Sequence, residues 1–346
     1  MHLIVDGHED LATNAIALKR DLLKPISEIR AEPDLNPKEG IPTVSFPELR
    51  KGNVRIIFAT LWAAPCGTQD ISPGPCYSTP EEAHMQGMEQ LNYYKQLADR
   101  GVVKIIKNKS DLQSVENSDN QIGLVILMEG ADPVRTPSEV SEWFNAGVRI
   151  IGPAWGQTRY SGGTKAPGPL SEIGKELVAE MEKAGMILDI SHMAEQSFYD
   201  ALDSFHGTVI ASHSNSRVYT MTDRHLTDEM IKAIVLRDGV IGTVLYNKFL
   251  DPDWEIRGKV KSEVTFETVV KHIKRVCDIA GDRLHSGIGS DLDGGFGRES
   301  TPEEIDTVAD IQKIDAELAK ASFTEEDIEN IKGGNWLRLL KRGLPD

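Results

Sequence analysis

The chain has 346 residues, with 38 Lys plus Arg against 54 Asp plus Glu, a formal charge of −16, and 40% hydrophobic residues. That balance describes an ordinary globular chain able to bury a large core, and it excludes disordered and fibrous classes. A field of that sign repels phosphate backbones, so no nucleic-acid partner is expected.

The N-terminus, MHLIVDGHED, has no basic lead and only a short apolar run, and the C-terminus, LKRGLPD, carries no hydrophobic tail. No secretion signal, membrane span or lipid anchor is expected. The three cysteines, Cys66, Cys76 and Cys277, show no metal-binding spacing. An odd count predicts free thiols in a reducing compartment, and hence a cytoplasmic protein.

In chain order, β-branched and apolar runs recur at Leu3 to Val5, Val54 to Leu61, Ile122 to Leu127, Val148 to Ile151, Met186 to Ile190, Thr208 to Ala211, Val240 to Leu245 and Ser286 to Gly289. Each is followed by a stretch of helical character. Ser78, Thr79, Pro80, Glu81 and Glu82 open one helix with capping chemistry, and Leu170 to Ala184 has helical apolar spacing and stops at Gly185. Repeated βα units with eight strand runs predict an α/β fold, a TIM-like (β/α)8 barrel formed by one domain over 1–346. Val103 to Ile106 reads as an extra strand ahead of the third barrel strand, and Pro302 to Leu340 is unassigned beyond closing the barrel. Three segments, Ala63 to Pro80, Gly156 to Pro169 and Asn247 to Lys261, follow strands two, four and seven, which puts them at the mouth where barrel enzymes carry their sites.

Polar residues able to bind metal stand directly after the apolar runs: His8 and Asp10 in LIVDGHEDL, Glu129 in LVILMEGAD, His192 in ILDISHM, His213 in VIASHS and Asp291 in GIGSD. Any one alone is weak, since a histidine at a strand end is more often a hydrogen-bonded structural residue. Jointly they are hard to reconcile with core packing, because unpaired buried charges are costly. Imidazoles and carboxylates without thiolates suit an open catalytic site for Zn²⁺, Mn²⁺ or Fe²⁺. Residues separated by one in a strand point the same way, so His8 and Asp10 can share one ion while Glu9 points elsewhere. His2, His84, His206, His225, His272 and His285 read as structural, Asp293 as a turn residue, and Asp6 as a group that orients a ligand histidine.

The ordered series DGHEDL, LMEGAD, GVRII, LDISHM, SHSNSR, DRHLTDE, GIGSDLDG and GGNWLRLL resembles the membrane (renal) dipeptidase family, peptidase family M19, along nearly the whole chain. The resemblance implies a barrel holding two divalent ions, zinc above all, with His8 and Asp10 on one, His192 and His213 on the other, and Glu129 bridging. It implies further that Asp291 handles protons, that Arg224 holds the substrate carboxylate, that Tyr246 lines the pocket, and that the reaction is hydrolysis of a small dipeptide by a metal-activated hydroxide. Family members are often dimers, which leaves a homodimer open. One departure stands out: GVRIIGPAW places Trp155 where renal-type members carry a histidine that stabilises the oxyanion. Loss of such a donor costs about 10²- to 10³-fold in rate unless the indole N–H or Arg159 replaces it. The competing readings are an amidohydrolase acting on a lactone, N-acyl amino acid or other non-peptide amide, and a catalytically silent metal-binding homologue.

Overall fold

Apolar side chains on both faces of a strand are stable only where both faces are covered, and the apolar runs of this chain form that kind of sheet. The computed structural model describes residues 3–33, 35–36, 39–67 and 74–346; His2 and part of the segment after strand two lie outside them. In chain order the strands are β1 (Ile4–Glu9), β2 (Val54–Trp62), β3 (Ala64–Pro65), β4 (Cys76–Tyr77), β5 (Val103–Ile105), β6 (Ile122–Glu129), β7 (Val148–Gly152), β8 (Ser161–Gly163), β9 (Ala166–Leu170), β10 (Ile187–Asp189), β11 (Val209–Ala211), β12 (Val240–Thr243) and β13 (Ser286–Ile288). Every residue of β1, β2, β6 and β7 is buried.

The main sheet has the order β2-β1-β13-β12-β11-β10-β7-β6-β5, and pairing of β2 with β6 closes it into an eight-strand parallel barrel. The fold is the TIM-like α/β barrel read from the sequence. β5 is not one of its staves. One edge of β6 pairs with β2 from Gly123 to Glu129, while the other pairs with β5 at Ile122 to Leu124 and with β7 from Ile126 onward. The extra strand thus fills the wedge where β6 and β7 diverge.

Inside the barrel, Val5, Ile56, Phe58, Val125, Leu127, Ile150, Ile187, Ile210 and Val240 pack into one cluster with Trp336, Leu339 and Leu340 of the helix Asn335–Gly343. Trp336 stands edge-on to Phe58 at 5.0 Å and donates its indole N–H to the Ile288 carbonyl at 2.9 Å. This helix, from the unassigned C-terminal region, closes the amino-terminal end and leaves the carboxyl ends open. The helix Pro80–Asp99 begins with a reciprocal cap between Thr79 and Glu82, and the helix Glu172–Ala184 stops at Gly185, whose φ of 74° only glycine adopts freely.

Two expectations change. Cys66 and Cys76 are joined in a disulfide, because β3 and β4 pair side by side and bring their Cα atoms to 4.8 Å; Cys277 is free and buried. The Gly/Pro-rich segment after strand four is not all loop, since β8 and β9 form an antiparallel hairpin within it. Among the described residues no helix is long and apolar enough to cross a membrane.

Candidate metal centre

The six strand-end residues meet at the carboxyl-terminal mouth. His8 lies within β1, Asp10 directly follows it, and Glu129 is the last residue of β6; His192, His213 and Asp291 stand just beyond β10, β11 and β13. They form three overlapping groups: His8, Asp10 and Glu129; Glu129, His192 and His213; and His8, His213 and Asp291. Glu129 belongs to the first two. Its Oε1 lies 3.0 Å from His192 Nε2 and 3.2 Å from His213 Nε2, and its Oε2 lies 3.6 Å from His8 Nε2. His8 Nε2 is also 3.9 Å from Asp291 Oδ1.

Local backbone is bent to achieve this. His192 and Asp291 have φ of 66° and 59°, in the left-handed region that side chains rarely occupy. A Cβ on Gly294 would fall 2.0 Å from Asp291 Oδ1, so only glycine fits beneath that carboxylate.

The histidines are aimed from behind. His192 Nδ1 meets Thr164 Oγ1 at 3.0 Å, and His213 Nδ1 meets Ser212 Oγ at 2.7 Å. Ser212 Oγ in turn donates to Asp189 Oδ2 at 2.5 Å. With its proton committed to Asp189, the serine hydroxyl accepts from His213 Nδ1–H, which leaves Nε2 bare and facing Glu129. Thr60 Oγ1 donates to Asp10 Oδ1. Sequence reasoning did not find Thr60, Thr164, Asp189 or Ser212; Asp189 and Ser212 stand as polar residues in apolar strand contexts, ILDIS and VIASHS, but nothing local says that they meet.

These atoms fit a divalent cation. His192 Nε2 and His213 Nε2 lie 3.0 Å apart, close to the roughly 3.3 Å edge of a tetrahedron with ligand bonds of about 2.0–2.1 Å. His8 Nε2 is buried with no hydrogen-bond partner among the described residues. Burial opposes charge on His8, but Glu129, Asp10 and Asp291 outweigh it and raise the imidazole to about 10. Burial raises Glu129 too, yet the His8 charge and a hydrogen bond from His192 hold it well below the carboxylate range. Burial pushes His192 down to about 4 and His213 well down, and raises Asp10 to about 6 and Asp291 far above its ordinary range.

Without metal, then, His8 is an imidazolium at pH 7, whereas a metal ligand must be neutral. Because its folded value lies above the ordinary 6.5, charged His8 stabilises the metal-free fold fully below that pH and loses this effect as pH rises through about 10. Adding zinc to stripped protein at pH 7 is therefore expected to release on the order of one proton per chain or more, read by calorimetry in buffers of different ionisation enthalpy. Binding with no proton uptake or release would contradict this charge assignment.

Around the cluster, Arg224 is buried, donating to Ser214 Oγ at 3.2 Å and to the His213 carbonyl at 2.6 Å, while its Nε–H has no partner among the described residues. Burial lowers its affinity for the proton, and Asp291 and Glu129 partly restore it. Tyr246 stacks on Phe296 at 4.3 Å, and burial raises its phenol to about 12. The Trp155 ring lies 6.1 Å from that of His192 and 5.1 Å from that of Trp62.

Three sequence expectations need adjustment. Arg159 is no free replacement donor at the centre: it is engaged by Asp132 Oδ1 and by the carbonyls of Asp132, Val134 and Arg135. Asp6 accepts from the backbone N–H groups of His8 and Ser290, not from an imidazole. Asp293 does occupy a turn conformation, and its carboxylate also holds the Thr43 and Val44 N–H groups. Among the remaining histidines, His225 and His272 are buried and bonded within the fold, as expected of structural residues.

An α/β barrel gathering three imidazoles and three carboxylates at its strand ends defines a metallohydrolase. The chain belongs to the membrane dipeptidase family, peptidase family M19, whose profile matches residues 1–343, and it is a metal-dependent dipeptidase that uses a divalent ion. It is 29% identical over 265 residues to an uncharacterized protein in the pqqA 5′ region of Klebsiella pneumoniae, covering 73% of this chain and 94% of that one. It is also 27% identical over 317 residues to an uncharacterized dipeptidase of Schizosaccharomyces pombe, covering 85% and 71%. The fold matches that of a metallopeptidase from Rhodobacter sphaeroides liganded with a phosphinate mimic of L-Ala-D-Ala, at a TM-score of 0.81 and 23% identity over 99% of both chains.

Proposed function

We propose that the chain, as one catalytic domain, hydrolyses small dipeptides with a free carboxyl end at a centre of two divalent ions, zinc by its donor set. The observation that carries this reading is the sharing of Glu129 between two donor groups: His8 and Asp10 on one side, His192 and His213 on the other. Ions bound there would lower the pKa of water and polarise the scissile carbonyl. The protein's own residues do the rest. Arg224, buried and with an N–H unfilled, binds the substrate carboxylate. Asp291 takes a proton from the attacking water at its carboxylate and delivers it to the leaving amine. Tyr246 on Phe296, and Trp155 over His192, wall the mouth against water. Cytoplasmic residence was inferred from free cysteines; with Cys66 and Cys76 joined, an oxidising compartment is the better reading.

The test is a panel of L,L and L,D dipeptides, each with a free or an amidated carboxyl end, given to zinc-loaded protein, stripped protein and Arg224→Met. Hydrolysis should require metal and a free carboxylate. Hydrogen bonds to a charged group support an expected loss in kcat/KM of about 10²-fold for Arg224→Met on free dipeptides, with little change on amidated ones. No turnover of any dipeptide by zinc-loaded wild-type protein would overturn the reading in favour of a non-peptide amide.

A further inference from the structure

Trp62 ends β2 as the register partner of Glu129, the last residue of β6. Partners at one register of a parallel pair carry their side chains on the same face of the sheet. Glu129 faces the centre of the mouth, so the Trp62 indole does as well. Its ring meets Trp155 edge-on at 5.1 Å, and Trp155 leans over His192.

The backbone of Trp62 is fully engaged: Gln90 Oε1 accepts its N–H at 2.9 Å, and Gln90 Nε2 donates to its carbonyl at 2.5 Å. The indole N–H is not. Trp62 is only 9% exposed, and its Nε1 is buried with no acceptor among the described residues. An indole nitrogen can only donate, and an acceptor entering the mouth would satisfy it. Trp336 and Trp254 show the ordinary outcome, each donating to a carbonyl at 2.9 Å and 3.0 Å.

In the closed barrel β2 is the second stave and β11 the sixth, so Trp62 stands across the mouth from Arg224, which follows β11. Resting on the reading above, a dipeptide whose carboxylate lies at Arg224 directs its acyl side toward Trp62. We propose that Trp62 is a substrate-contacting residue whose indole N–H donates a hydrogen bond to the carbonyl oxygen of the substrate's N-terminal residue. A donor fixed at that oxygen gains strength as charge develops on it, which favours the transition state over the ground state.

Trp62→Phe keeps an aromatic ring against Trp155 and deletes the donor. With zinc content equal to wild type, kcat/KM on the best free dipeptide should fall by about 10-fold or more, mostly in kcat, and a phosphinate dipeptide mimic should inhibit less well by a similar factor. Unchanged kcat/KM and unchanged inhibition would overturn the proposal. If Trp62→Phe does not fold, the indole N–H resonances of ¹⁵N-labelled wild-type protein read the same bond. One should move downfield when the phosphinate binds; no movement of any would sink the idea. Inactive wild-type protein would instead count against the dipeptidase reading, so the two failures are distinguishable.

Discussion

On the proposed two-zinc centre, Glu129→Gln is expected to lower metal content toward none and to cut kcat/KM by about 10³-fold or more. The magnitude follows from the several kcal/mol that metal-ion charge stabilisation supplies, at about 1.4 kcal/mol per factor of ten. Glu129 is 5% exposed and stands within 3.6 Å of His8, His192 and His213. The amide keeps the size of the carboxylate but not its charge, so both donor groups lose their shared anion. His8 also loses the first of the anions that raise it, so the variant should release fewer protons on exposure to zinc. Elemental analysis, activity and proton release can be measured on one preparation. A variant that retains two ions and activity within about 10-fold of wild type would remove Glu129 from the bridging position.

The barrel was legible because buried parallel strands read as unbroken apolar runs, and β2 and β6 are buried along their whole length. The convergence of His8, Asp10, Glu129, His192, His213 and Asp291 was legible for a related reason: a polar residue closing an apolar run in a βα unit must lie at one end of the barrel. What escaped is non-local. Asp189 and Ser212 meet across 23 residues, and no local pattern announces that a hydroxyl on one strand end will fix the tautomer of the next histidine. Arg159 looked available in sequence, yet the loop after β6 folds back and surrounds its guanidinium. The strand β9, sequence APGPL, is hidden by its prolines, which are tolerated because it pairs only with β8 in a two-stranded hairpin. The Cys66–Cys76 bond depends on β3 and β4 pairing, and two-residue strands leave no periodicity to read.

Asp291→Asn should separate proton transfer from metal binding. Asparagine tolerates the left-handed backbone that Asp291 adopts, at φ 59°, and it is no larger than the carboxylate seated over Gly294. The backbone should therefore survive. What disappears is a group able to take a proton from the attacking water and return it to the leaving amine, and positioned acid–base groups are worth about 10²- to 10⁴-fold. The expected result is a fall in kcat of that size with KM nearly unchanged, since Arg224 still binds the carboxylate, and with zinc content intact. Asp291 also shares a donor group with His8 and His213, which defines the opposing outcome. If the variant loses one zinc and regains activity when zinc is raised, Asp291 is a ligand first, and the proton must be handled by another group at the mouth.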